Sequence, residues 1–180
     1  MPDQAIPSDF WKQLAGAGKG ESALWSSLLR AEPERELELA FSPLAAPELA
    51  LGVETVYEGY LVHYGSSRLF APGDQNLALL LGDRLYARGL VLVSGLGEVA
   101  AVADLATLLE LCARTQAERK QGDGALWAAG ITRLGKGGIK SESEAFLNSG
   151  DSEPLLRLAR ESAGLEPVER ALAVHARLFA

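Results

Sequence analysis

Two glycine–lysine stretches carry the residue types of a phosphate-binding loop: Gly16-Ala17-Gly18-Lys19-Gly20 and Gly135-Lys136-Gly137-Gly138-Ile139-Lys140-Ser141. Such a loop cradles phosphate with backbone N–H groups. It needs glycine directly before the lysine, Ser or Thr directly after it, and a preceding strand. Gly20 follows Lys19 where the hydroxyl belongs, Ile139 stands before Lys140, and neither stretch follows a strand pattern. Both read as flexible connectors. A zinc site needs four convergent ligands, mostly N or S, whereas the chain has only His63, His175 and Cys112 to offer. Cys112 lies in an apolar helical run and reads as a small core residue. His175, in the terminal helix, reads as a surface or core histidine. Tyr57, Tyr60 and Tyr64 recur at i, i+3 and i+7, which puts them on one helix face as core aromatics. No residue is assigned a catalytic role, and neither a metal nor a cofactor is expected.

Helices must position these groups. Apolar spacing follows the helical period almost throughout, with no alternating strand pattern and no two-residue hairpin signal. Pro33 opens a predicted helix over 34–40, and Pro47 opens one over 48–64. Pro72-Gly73-Asp74 makes a turn before a helix over 77–93, with Asp74 as its N-cap. Gly95-Leu96-Gly97 separates that helix from one over 98–120. Residues 121–150 read as loop with one short helix around 125–134. Pro154 and Pro167 begin two short terminal helices divided by Gly164. The expected class is all-α, a helical bundle. The acidic run 32–38 reads as a solvated helix face with i,i+4 pairs. Helices 77–93 and 99–112 carry apolar residues on nearly every face, which calls for cover on all sides and points to self-association or association with a relative.

Composition bounds the function. With 180 residues, 48% hydrophobic and 23% charged, the chain is one ordinary domain that can bury a core without staples. Its 17 basic and 24 acidic residues give a net charge of −7, opposite to the footprint of a nucleic-acid binder. No uncharged run exceeds nine residues, as in 89–97 between Arg88 and Glu98, so no membrane span is expected. The first residues, with Asp3 and no apolar stretch, do not read as a signal peptide, and a cytoplasmic location is expected.

Two stretches in order, Gly52–His63 (GVETVYEGYLVH) and Asn76–Arg88 (NLALLLGDRLYAR), together resemble the trans-polyprenyl diphosphate synthase family. The first is similar to the helix VE-x-x-H-x-x-S-L-I-H-D-D, with Glu54, Tyr57, Leu61, Val62 and His63 in register. The second is similar to A-x-L-x-G-D-x-L-x-A-x-A, with Gly82 and Asp83 in place. The next helix ends at Arg114-Thr115-Gln116, near where the family has Gly-Gln or Gly-Glu. Residues 125–130 (ALWAAG) resemble the segment after a Lys-Thr pair, although Gly122 and Asp123 stand at that pair. The likeness covers about 45–135, between an N-terminal helical segment at 1–44 and a C-terminal loop with short helices at 136–180.

The resemblance implies the isoprenoid synthase fold, and the departures from it bear on activity. The family's first aspartate-rich motif falls on Tyr64-Gly65-Ser66-Ser67-Arg68. Carboxylates at i and i+4 would share a helix face there and hold Mg²⁺ against a diphosphate; a phenol and a guanidinium do not. No second aspartate-rich motif is present. The chain therefore looks like a non-catalytic relative, similar to the small subunit of heteromeric synthases, and any activity would be prenyl transfer. The expected partners are a second copy or a full-length polyprenyl synthase, meeting Leu80, Leu81, Leu85, Val102, Leu105 and Leu109. The alternative is a stand-alone protein that binds an isoprenoid or diphosphate without chemistry. Tyr57, Tyr60 and Tyr64 would line a remnant prenyl channel. Arg68 would meet the diphosphate directly, unless it is simply a surface residue. Asp83, the remaining family-like carboxylate, is expected to be buried and paired with Arg84 or Arg88.

Overall fold

A computed structural model describes residues 9–19 and 23–179. The opening residues 1–8, which do not read as a signal peptide, and Gly20 of the first glycine–lysine stretch lie outside the described residues. Among the described residues the fold is all-helical. The helices are α1 (Phe10–Lys19), α2 (Ala23–Ser27), α3 (Ala50–Tyr64), α4 (Gln75–Ser94), α5 (Val99–Ala117), α6 (Asp123–Thr132), α7 (Lys140–Ser149), α8 (Glu153–Ala163) and α9 (Leu165–Leu178). No strand forms among them, and Leu29 and Phe70 make an isolated bridge.

Two helices are enclosed on all sides. In α3 every residue from Gly52 to Val62 is buried, and in α6 every residue is. A helix without a polar face must be surrounded, and the other helices do the surrounding. α4 packs along α3, while α5, α8 and α9 pack on α6. Phe41, Tyr57, Trp127 and Phe146 sit in the main core with Leu105, Leu108, Leu155 and Val174. A second core joins Phe10 and Leu14 of α1 to Val62, Phe70, Leu81 and Leu85. Ala40, Phe41 and Leu44, from the segment before α3, belong to the main core.

Turn chemistry behaves as its residue types dictate. The Asp74 carboxylate accepts from Asn76 N (2.8 Å) and Leu77 N (2.9 Å) at the start of α4. Asp74→Ala should therefore cost about 1 kcal/mol, measured as a lowered urea midpoint with an unchanged slope. Gly164, at φ +89°, turns α8 back into α9. Cys112 is fully buried.

Two expectations fail. The helix over 34–40 is a short 3₁₀ turn, Glu32–Glu34, followed by extended chain. Its amide donors are taken by tertiary acceptors: Glu36 N bonds to Arg68 O at 3.2 Å and Ala40 N to Glu54 Oε1 at 3.0 Å. The acidic run is accordingly an extended strap whose Glu36 and Glu38 pair with Arg177 of α9. Residues 121–150 hold two helices, since α7 follows α6; its Phe146 and Leu147 reach the core. The cover expected on every side of α4 and α5 is supplied by this chain on their inner sides alone. Their inner residues are covered by α3 and α6, and their outer faces meet solvent.

Candidate functional site

The two glutamates of α3, Glu54 and Glu58, lie one turn apart and are fully buried. Arg68 comes to them from the turn after α3 and is itself buried. Its Nη1 lies 2.7 Å from Glu54 Oε2, and its Nε donates to Glu58 Oε2 at 2.9 Å. Nη1 also donates to the Glu38 carbonyl at 2.8 Å. One guanidinium does not neutralise two carboxylates, so neutral donors complete them. Glu54 accepts from Ala40 N and Ser42 N, both at 3.0 Å. Glu58 accepts from Ser67 Oγ at 2.6 Å and Leu69 N at 3.0 Å. The Arg68 guanidinium also lies 5.1 Å from the Trp11 ring centroid and 5.3 Å from that of Tyr57, a cation–π arrangement. Burial by itself would lower the Arg68 pKa, but the two carboxylates outweigh it and hold the guanidinium charged.

This arrangement corrects both readings of Arg68. It is not on the surface, and its charge is spent on internal carboxylates. Nor does the 64–68 stretch form a helix face, because α3 stops at Tyr64. The array fastens the strap before α3 and the turn after it to one helix.

A second polar cluster joins four helices, α3, α5, α6 and α9. Tyr60 Oη donates to Asp123 Oδ2 at 2.6 Å, and Gln116 Nε2 donates to Tyr60 Oη at 2.8 Å. Tyr57 Oη lies 2.9 Å from His175 Nδ1, and His175 Nε2 lies 3.4 Å from Asp123 Oδ2. Burial would raise the Asp123 carboxyl, but hydrogen bonding and charge from His175, with the Tyr60 bond, hold it below its ordinary value of 3.8. Tyr57 and Tyr60 are fully buried, and their rings pack on Trp127 with centroids 5.0 and 5.3 Å away. They are core aromatics and line no channel, which also places Tyr57 beyond reach of a prenyl ligand. Tyr64, at the end of the same face, is 42% exposed.

The third cluster is at the surface end of α3. Asp83 is not buried: its side chain is 74% exposed, and its partner is His63, with Nε2 3.2 Å from Oδ1. Gly82, on the resembling stretch, has a steric reason to be glycine, since a Cβ there would stand 2.3 Å from His63 Nε2. Burial lowers the His63 pKa below 6.5, and Asp83 only partly offsets it. The unfolded chain then binds a proton that the folded one refuses, so stability present above pH 6.5 is lost as pH falls towards the lower folded-state value. His63→Gln should flatten that part of the stability–pH curve, measured by thermal melts across the range.

Neither protein-family models nor curated proteins nor solved structures match this chain. Its site must be argued from its own residues. Among the described residues, no three His, Cys, Asp or Glu side chains gather as a metal site, and no helix is long and apolar enough to cross a membrane. A shallow groove of about 440 Å³ lies between α7 and α8, lined by Arg133, Gly138, Lys140, Glu142 and Leu158. Gly138 and Lys140 belong to the second glycine–lysine stretch, whereas none of the residues expected to bind a ligand or a partner subunit touches the groove.

Of the six residues expected at a subunit interface, Leu81, Leu85 and Leu105 are fully enclosed by this chain's own helices, and Val102 and Leu109 are half-buried. Leu80 alone stands free, at 58% exposed. Sequence reasoning passed over Glu58, Gln116 and Asp123 as partners. The available signal was two glutamates at i and i+4 inside an otherwise apolar helix, a spacing that needs a buried counter-charge.

Proposed function

We propose that the chain is a non-catalytic accessory subunit, related to the polyprenyl synthases, that works in the cytoplasm by pairing with a full-length synthase or with a second copy. One observation carries this reading. Of the nine large hydrophobic residues exposed among the described residues, five (Leu79, Leu80, Val91, Leu96 and Val99) fall on α4 and its turn into α5. Leu80, Ala87 and Val91 recur at i, i+7 and i+11, one stripe of α4, all exposed, with the exposed Asp83 at i+3 among them. The outer stripe of α5 continues with Val99, Ala103, Ala106, Ala113 and Ala117, broken only by Glu110. A weakly charged face on a chain of net charge −7 suits contact with another helical surface. The internal use of Glu54, Glu58 and Arg68 also supports a scaffold over an active site.

The test is native mass spectrometry of the chain alone and mixed with a synthase carrying both aspartate-rich motifs, followed by prenyl-transfer assays of the mixture. A dimer or heteromer abolished by Leu80→Glu with Val91→Glu is the expected result. A strict monomer at micromolar concentration, with no change in the synthase's products, overturns the reading.

A further inference from the structure

We propose that Tyr60 is a buried redox-active tyrosine, loaded by a one-electron oxidant at the surface through Tyr64. A phenol loses an electron readily only when its proton has somewhere to go. Tyr60 has that acceptor: its Oη donates to Asp123 Oδ2 at 2.6 Å, the length of a charge-assisted bond to a carboxylate. The acceptor is ionised, held so by its bonds from His175 and Tyr60. Gln116 Nε2, at 2.8 Å from Tyr60 Oη and 3.3 Å from Asp123 Oδ2, keeps both atoms in place.

The phenol is also reachable by electrons while closed to solvent. Tyr60 is fully buried, and the Tyr64 ring, 42% exposed, lies 5.1 Å from it between centroids. The neighbouring Trp127 is a poorer resting place. Its Nε1 is buried without a hydrogen-bond partner, so an oxidised indole there has no base to take its proton. Tyr57 is the one rival, with His175 Nδ1 at 2.9 Å, but its ring lies 6.4 Å from Tyr60 and one step further from the surface.

The steps balance. The oxidant takes one electron from Tyr64, whose proton passes to water. The Tyr64 radical then takes an electron from Tyr60 and a proton back from water, while the Tyr60 proton moves to the Asp123 carboxylate. The net products are the reduced oxidant, a neutral Tyr60 radical and a protonated Asp123 hydrogen-bonded to it. On reduction the proton returns. The enclosing side chains protect the radical from reductants and from coupling to other phenols. This property is independent of any pairing through α4 and α5.

The experiment treats the full chain with a soluble one-electron metal-complex oxidant and follows the tyrosyl radical by electron paramagnetic resonance. A persistent signal is expected, absent in Tyr60→Phe. In Tyr64→Phe, an exposed change that leaves the core intact, the signal should form about tenfold more slowly. In Asp123→Asn, which keeps the shape and loses the base, its yield should fall about tenfold. No persistent signal in the wild type, a signal that survives Tyr60→Phe, or equal loading in Tyr64→Phe would each overturn the proposal. Loss of the signal in Tyr57→Phe with retention in Tyr60→Phe would overturn it in favour of the His175 pair.

Discussion

Arg68→Ala is expected to lose about 3–5 kcal/mol of folding stability, the cost of leaving enclosed charge without its partner. The two carboxylates of Glu54 and Glu58 remain fully buried when the guanidinium goes. Their neutral donors, the amides of Ala40, Ser42 and Leu69 and the Ser67 hydroxyl, do not cancel a net charge of two. Since folded domains rest on only about 5–15 kcal/mol, this one change takes a large share. Arg68→Lys should fall between, because an ammonium is a point charge without the planar fork that bonds both carboxylates at once. The combination Glu54→Gln, Glu58→Gln and Arg68→Met should recover much of the loss, since removing a whole buried ionic group is often close to neutral. Urea denaturation of the four proteins checks the order. A loss below about 1 kcal/mol for Arg68→Ala, typical of an exposed pair, would mean that the array is open to water.

That array shows where sequence reading succeeds and where it stops. Punctuation was legible because it is local: Asp74 caps α4 through amides two and three residues on, and Gly164 needs only its own φ to end α8. The all-helical class was legible from periodicity, which is also local. The strap before α3 was not. Residues 34–40 have helix-forming composition, yet Glu36 N and Ala40 N bond to groups far along the chain, and propensity yields to tertiary partners. Arg68 was misplaced for the same reason. A lone arginine in a turn is usually exposed, and only the fold puts it beside Glu54 and Glu58. Asp83 erred in the opposite direction, since an acid on an apolar helix was assigned to the inner face. The stripe it occupies faces solvent, where His63 reaches it. The expected interface suffered likewise: Leu81 and Leu85 differ from Leu80 only in which side of α4 they occupy, and α3 takes that side.

The close approach of α3 and α4 yields the second large effect. Gly52 and Gly59 on α3 are seven residues apart, as are Gly82 and Gly89 on α4, and the antiparallel helices bring Gly52 opposite Gly89 and Gly59 opposite Gly82. A Cβ at Gly89 would stand 2.8 Å from the Gly52 carbonyl oxygen and 2.4 Å from Val56 Cγ2. One at Gly59 would stand 2.9 Å from the Gly82 carbonyl oxygen and 2.8 Å from Tyr86 Cδ1. A carbonyl oxygen in a helix cannot rotate away, so the two backbones must part. Each of Gly59→Ala and Gly89→Ala should then destabilise by about 1–3 kcal/mol through overpacking, even though alanine favours the helix by up to about 1 kcal/mol. The pair should cost less than the sum, because helices already parted by the first methyl accommodate the second more easily. Gly16→Ala in α1 is the control: a Cβ there meets nothing within 4 Å, and helix propensity alone predicts a gain. Chemical denaturation of the single and double variants decides the matter. Stabilisation at Gly59 and Gly89 equal to that at Gly16 would show that α3 and α4 are free to slide apart at no cost.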